Sequence, residues 1–130
     1  MAYADNKPRT VDAAGPVFKI TLTGAVYAGD LIGDSSGWVQ ADANASTAVP
    51  AFFIALEDGA AADVISATTE AVITSVTGAT ATEEVYCSGT AGETTETAPG
   101  SGDDQIMGVS LSATSIYVSP NGWHAIPAVA

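Results

Sequence analysis

The feature that most constrains the fold is a strict alternation of apolar and polar side chains in short stretches. Residues 17–24 read Val-Phe-Lys-Ile-Thr-Leu-Thr-Gly, which places Phe18, Ile20 and Leu22 on one face and polar side chains on the other. A period of two is typical of a half-buried β-strand. No stretch keeps apolar residues at helical spacing for more than about one turn. The sequence therefore predicts an all-β protein.

Turn residues divide the rest of the chain into segments of strand length. Gly-Asp-Ser-Ser-Gly at residues 33–37 separates two apolar runs and predicts a β-hairpin, and residues 83–98 predict a second one. Further strands are expected from β-branched and apolar runs at residues 51–58, 64–76, 105–113 and 114–120.

Two pairs of landmarks recur at one spacing. Gly37 and Gly92 lie at the tips of the two predicted hairpins, and Leu56 and Leu111 lie near the ends of two predicted buried strands; each pair is 55 residues apart. This pattern indicates an internal duplication, in which two half-sheets hide each other's edges in a small β-barrel, a β-tulip or a sandwich. We expect a flexible N-terminal arm at residues 1–16, a β-domain at residues 17–120 and a C-terminal tail at residues 121–130.

The charge of the chain is unevenly distributed. The net charge is −12, and the only basic side chains are Lys7, Arg9 and Lys19, so all of the net negative charge lies beyond residue 19. Such a body repels phosphate backbones, which argues against nucleic acid as a partner. Acidity of this kind also serves solubility or a salty medium. The positive arm ahead of the acidic body is the more specific signal.

Residues for catalysis are scarce, and we expect neither an enzyme nor a cofactor. His124 is the only histidine, and Cys87 follows Tyr86 in a predicted strand, where a small buried thiol is the expected interpretation. Cys87 is also the only cysteine, so no disulfide forms within the chain.

Acidic residues give no clear metal site. Most acids fall in predicted turns, where solvated carboxylates are expected. A calcium loop beginning at Asp42 fails because its sixth position is Thr47 and its twelfth is Phe53. Casual cation binding is left open at Asp34, Asp58, Asp63 and Asp103.

We also expect neither a membrane-spanning segment nor a secretion signal. The longest apolar run, residues 48–56, is too short to cross a bilayer and contains Pro50. The first ten residues lack the basic and apolar regions of a secretion signal, which predicts synthesis in a cytoplasm.

Two segments carry candidate contact residues. Lys7, Pro8 and Arg9 in the arm fit a peptide that becomes ordered on a neighbour, for example by adding a strand to a sheet edge, although a frayed terminus is the simpler alternative. Trp123 and His124 in the tail fit a contact with another subunit, or a tail that packs over the open end of a barrel.

Residues 28–43, 51–64 and 83–121 together resemble the small head decoration proteins of tailed phages, the group typified by the phage lambda decoration protein. The similarity lies in a Gly-Asp-apolar strand, a Gly turn, an apolar strand ending in Leu-Glu-Asp, an acidic loop and a closing strand before Pro120. The resemblance implies a β-barrel or β-tulip with a flexible arm. It also implies a virion protein, a homotrimer, that binds the major capsid protein on the outside of an expanded icosahedral shell and cements it.

On that resemblance, Lys7, Pro8, Arg9 and Lys19 would contact the capsid, and Trp123 and His124 would make oligomer or capsid contacts. The alternative is a phage tail or fibre domain that recognises host glycans. That function would require an aromatic platform, with Trp38, Tyr117 and Trp123 converging on one face.

Overall fold

A computed structural model describes residues 4–5, 9–43, 48–99 and 105–120. This part of the chain is all-β and contains no helix. In chain order the strands are β1 (Ala4–Asp5), β2 (Val11–Ala14), β3 (Val17–Thr21), β4 (Leu31–Asp34), β5 (Trp38–Gln40), β6 (Phe53–Ala55), β7 (Val64–Thr68), β8 (Ala71–Ile73), β9 (Val76–Thr77), β10 (Glu84–Cys87), β11 (Thr94–Thr95), β12 (Ile106–Ser110) and β13 (Ile116–Val118).

The strands form two main sheets with antiparallel pairing. A five-stranded sheet has the order β3-β7-β6-β4-β5, and a six-stranded sheet has the order β11-β10-β12-β13-β8-β2. β1 and β9 make a separate two-stranded pair. Both predicted hairpins are confirmed, because β4 pairs with β5 and β10 pairs with β11.

The five-stranded sheet curls until its first and last strands approach each other. Leu22, just after β3, forms a parallel bridge with Trp38 of β5, and the Thr23 N–H donates to the Trp38 carbonyl at 2.9 Å. The curled sheet encloses its own apolar cluster, which includes Ile32, Phe53 and Ile65. The structure therefore places a half-barrel within the predicted small β-domain.

The second core lies between the two main sheets. Leu31 and Ile54 of the five-stranded sheet pack in one cluster with Ile73, Met107 and Ile116 of the six-stranded sheet. All five side chains are fully buried. Burying a side chain of this size stabilises the fold by roughly 1.5–3 kcal/mol. Alternate residues of β4 and β6 face the two different cores, which explains why these strands have few polar positions.

The internal duplication is visible in the strand order. Reading each sheet from its hairpin, the orders β5-β4-β6-β7-β3 and β11-β10-β12-β13-β8 place equivalent strands at equivalent positions. Gly37 and Gly92, the predicted landmarks, both lie in the hairpin connections and both have positive φ, at 125° and 79°. Among the described strands of the two main sheets, β2 is the one without an equivalent, because it extends the six-stranded sheet beyond β8.

The predicted boundary of the N-terminal arm at residue 16 is wrong. β2 pairs with β8 from Val11 to Ala14, and Arg9 is only 5% exposed. Residues 9–14 thus belong to the folded body, because their backbone completes a sheet and one of their side chains enters the interior. The predicted tail at residues 121–130 lies outside the described residues.

Candidate interaction surface

The side chain of Arg9 is anchored in a buried polar network. Its guanidinium forms an ion pair with Asp30, whose side chain is fully buried. The other carboxylate oxygen of Asp30 accepts the Tyr27 N–H at 2.8 Å and the Gln40 Nε2–H at 2.7 Å. The buried negative charge is therefore balanced by a cation and by two hydrogen bonds, as a charge away from water requires.

This network corrects one of the predicted contact residues. The resemblance predicts that Arg9 contacts the capsid, but its guanidinium is buried and forms an ion pair with Asp30. Lys19, by contrast, is exposed on β3, and its Nζ donates to Ser66 Oγ at 2.8 Å. Lys7, Pro8, Trp123 and His124 lie outside the described residues.

Four aromatic side chains form a cluster at the curled sheet, which we call the aromatic cluster: Phe18, Trp38, Phe52 and Phe53. The Phe53 ring is at the centre, with ring centroids 5.6 Å from Phe18, 5.0 Å from Trp38 and 4.8 Å from Phe52. Phe53 is buried, whereas Phe18 is 44% and Phe52 is 39% exposed. Tilted and edge-on contacts at these distances favour a rigid cluster.

Two members of the aromatic cluster, Phe18 and Phe52, are partly exposed. Phe18 shares a face of β3 with the buried Ile20, so the alternation correctly predicted its direction but not its exposure. Val17 is 57% exposed on the opposite face of the same strand. β3 thus presents apolar surface on both of its faces, which marks a contact surface more clearly than an isolated exposed residue does.

The predicted glycan platform is arranged differently. Trp38 is on β5 of the five-stranded sheet and contacts Phe52 and Phe53, whereas Tyr117 is on β13 of the six-stranded sheet, opposite Val72. These two aromatic residues do not share a sheet. Trp123 is outside the described residues.

Cys87 is a buried structural thiol, as predicted. Its side chain is 1% exposed, and burial, with a smaller contribution from the charge of Asp42, raises its pKa from 9.0 to about 12. A thiol in this environment stays protonated at neutral pH and is a poor nucleophile. Among the described residues, no three His, Cys, Asp or Glu side chains group as a metal site would require.

Carboxylates in the turns bind backbone N–H groups of the chain itself. Asp34 accepts from Gly37 at 3.0 Å, and Asp63 accepts from Ala60 at 2.8 Å. The same role is filled by Asp58 toward Ala28, Glu57 toward Ser66 and Glu96 toward Thr80, each at 2.8 Å. Turn N–H groups need an acceptor, and short acidic side chains supply one. Part of the acidity therefore serves the fold.

No helix in the described part of the chain has the length and apolarity needed to span a membrane. Comparisons with protein-family models, curated proteins and solved structures find no match to this chain.

Proposed function

We propose that this chain is a viral structural protein that binds the outer surface of an expanded icosahedral capsid and stabilises the shell. The observation that carries the proposal is the surface formed by β3 and the aromatic cluster. Phe18 and Phe52 are large, rigid and partly exposed on an otherwise strongly acidic molecule. The sequence resemblance to head decoration proteins supplies the shell as the partner, with the major capsid protein as the molecule contacted.

Rigid aromatic side chains suit this role on energetic grounds. They bury a large area on contact and lose little conformational entropy, so they commonly dominate the binding energy of an interface. The net charge of −12 keeps free subunits apart before they bind. The resemblance implies attachment as a trimer, in which three linked contacts would give a much higher avidity for the shell than one contact alone.

The test is co-sedimentation of the full-length chain with expanded and unexpanded shells of its source virus. Saturable binding to expanded shells is the expected result. Phe52→Ser should weaken binding by about 30-fold, which corresponds to the roughly 2 kcal/mol of an aromatic hot spot. Leu111→Ser is the matched control, because Leu111 is 49% exposed but follows β12 of the other sheet.

Binding to neither shell would overturn the proposal. Equal losses in Phe52→Ser and Leu111→Ser would retain the shell as partner but remove the aromatic cluster as the contact. Unfolding curves of both variants exclude a trivial loss of structure, since both side chains are partly exposed and their replacement leaves the two cores intact.

Recognition of a host glycan is the second candidate, favoured by the contact between Trp38 and the exposed Phe52 at 5.8 Å. Sugars stack on such aromatic faces. Titration with glycans, followed by tryptophan fluorescence in a Trp123→Phe background, would report on Trp38 alone. A saturable change that Phe52→Ser abolishes would favour this function over shell binding.

A further inference from the structure

One backbone edge of β3 pairs with no other strand in the described part of the chain. The strand pairs with β7 on its other side, where Lys19 lies opposite Ser66. The Ser66 carbonyl accepts the Leu56 N–H at 3.0 Å, so the Ser66 backbone points toward β6 and away from Lys19. In an antiparallel ladder the Lys19 backbone then points to the opposite side, away from β7. The same holds for Val17 and Thr21, two residues before and after Lys19.

The bridge after β3 confirms this direction. Thr23, in the same alternation as Thr21, donates its N–H across the gap to the Trp38 carbonyl at 2.9 Å. Between residues 17 and 21, no other described strand pairs with this side of β3. Three residues therefore present their N–H and C=O groups outward, next to the exposed Phe18 ring.

The second half of the molecule shows what such an edge accepts. β8 occupies the place of β3 in the repeated strand order, and its outer edge is covered by β2. That added strand is antiparallel and pairs Val11 with Ile73 and Ala14 with Ala71. The fold thus contains one completed copy and one open copy of the same edge.

β3 also lacks the features that usually protect an edge strand. Its five pairs with β7 run without a register shift, whereas β2 carries a shift between Val11 and Ala13. The remaining outer strands are short, with two residues in β11 and three in β5. Lys19 can protect this edge against a strand that is also positively charged, but not against a strand that carries a carboxylate opposite it. A regular apolar edge of this kind favours pairing with another chain.

We propose that β3 receives a β-strand from a different protein, antiparallel as β2 is to β8. Side chains directly opposite each other in a ladder share a face, so the incoming strand should place apolar residues opposite Phe18 and Ile20 and a carboxylate opposite Lys19. In naming an extended segment of the capsid shell as the source of that strand, the inference rests on the proposed function.

A second copy of this chain does not fit the edge. Antiparallel pairing of two β3 strands about Lys19 would place the two ammonium groups directly against each other. The β2 strand of another copy is already paired with its own β8 and held by the buried Arg9. These two mismatches favour a different protein as the source of the strand.

The first experiment uses a fluorescent, end-capped peptide, Ser-Thr-Val-Asp-Val-Thr-Ser, and fluorescence anisotropy with the full-length chain. N-methylation of the amides on one side of the peptide should weaken binding at least tenfold, while methylation of the alternate amides should leave it unchanged, because only one set faces β3. Lys19→Glu should weaken binding and should prefer the peptide in which Lys replaces the central Asp. Lack of binding to the native chain, or equal effects of both methylation patterns, would overturn the inference.

The second experiment separates this edge from the proposed function. Lys19→Pro removes the outward N–H of Lys19 without breaking a bond to β7, which is the position where proline is tolerated in an edge strand. Its control is Asp12→Pro, at the register shift of β2, where Asp12 has no partner on β8. If shells bind the native chain and both variants equally, the edge inference fails and the function stands. If the peptide binds and shells do not, the edge stands and the shell proposal fails. If Lys19→Pro does not fold, the preference of Lys19→Glu for the peptide with a central Lys tests the edge inference instead.

Discussion

The two main sheets share a strand order but differ at their outer edge. In the six-stranded sheet the chain itself covers β8 with β2, whereas in the five-stranded sheet β3 is open and flanked by exposed aromatic rings. The interiors differ as well: the five-stranded sheet curls around a cluster that contains Phe53, while the six-stranded sheet contributes aliphatic residues to the core between the sheets. One copy of the repeated unit is completed within the chain, and the other copy is left available for a partner.

The two halves are joined by the Arg9–Asp30 pair. Arg9 precedes β2 of the six-stranded sheet, and Asp30 precedes β4 of the five-stranded sheet. The turn of the second hairpin also contacts this site, since the Leu31 N–H donates to the Gly92 carbonyl at 2.9 Å. A side chain at Gly92 would lie 2.8 Å from Asp30 Cγ. The Arg9–Asp30 pair therefore ties the start of β2 to the five-stranded sheet, in addition to the pairing of β2 with β8.

Removing the Asp30 carboxylate should lower the free energy of unfolding more than any other substitution proposed here. Asp30→Ala removes the carboxylate with which the buried Arg9 guanidinium forms its ion pair, and breaking a buried pair in this way costs about 3–5 kcal/mol of the free energy of unfolding. Urea unfolding measures the loss. Hydrogen exchange should show the amides of β2 losing protection before those of β12, because β2 is the strand that Arg9 anchors.

Asp34→Ala is the matched control for Asp30→Ala. Asp34 is exposed and accepts one N–H, from Gly37, in the first hairpin. Its loss should cost about 1 kcal/mol, the value of a single net hydrogen bond. Similar losses in the two variants, or uniform exchange across the six-stranded sheet, would contradict the assignment of Arg9 and Asp30 as the link between the halves.

Local sequence patterns predicted the body of the fold and missed its N-terminal part. The alternation at residues 17–24 and the glycine turns predicted β3 and both hairpins, because these elements are specified by neighbouring residues. β2 reads Val-Asp-Ala-Ala, which has no clear alternation, and its anchor Arg9 meets a partner 21 residues away. An ion pair between distant residues leaves no periodic signal, so a basic arm was the natural interpretation.

The aromatic cluster was hidden in the sequence for a related reason. Phe52 and Phe53 are adjacent in an apolar run, which predicts a buried strand and does not show that one of the two rings is exposed. Their contacts with Phe18 and Trp38 depend on the curl of the sheet, which brings together strands distant along the chain. The sequence does predict the repeated strand order, because glycines and leucines recur in it at a spacing of 55 residues.

A glycine in each sheet tests whether both halves are packed equally closely. A β-carbon at Gly33 would lie 2.1 Å from the Pro50 carbonyl oxygen, and one at Gly108 would lie 1.9 Å from the Tyr117 carbonyl oxygen. Backbone atoms cannot move aside easily, so Gly33→Ala and Gly108→Ala should each cost about 1–3 kcal/mol or more. Gly89→Ala, where nothing lies within 4 Å, should cost nothing measurable. If Gly33→Ala lowers the free energy of unfolding much less than Gly108→Ala does, the half-barrel accommodates strain that the six-stranded sheet cannot.

The smallest effect at neutral pH, and the most specific one, concerns Cys87. This thiol pairs across the second hairpin with Thr94, just as Gly33 pairs across the first with Val39, so the two halves differ here by one buried ionisable group. Burial raises the pKa of Cys87 from 9.0 to about 12, which means that the folded protein keeps the proton while the unfolded chain loses it above pH 9. The free energy of unfolding should therefore be unaffected by this thiol below pH 9. Above pH 9 it should fall by up to about 1.4 kcal/mol per pH unit, until the folded thiol also ionises.

Urea unfolding at pH 7, 9 and 10 measures this slope, and Cys87→Ala provides the reference, because all other alkaline titrations are common to both proteins. The difference between the native chain and Cys87→Ala should shrink as the pH rises from 9 to 10; a difference independent of pH would show that the thiol is hydrated in the folded state and that the second hairpin packs less tightly than its counterpart in the half-barrel.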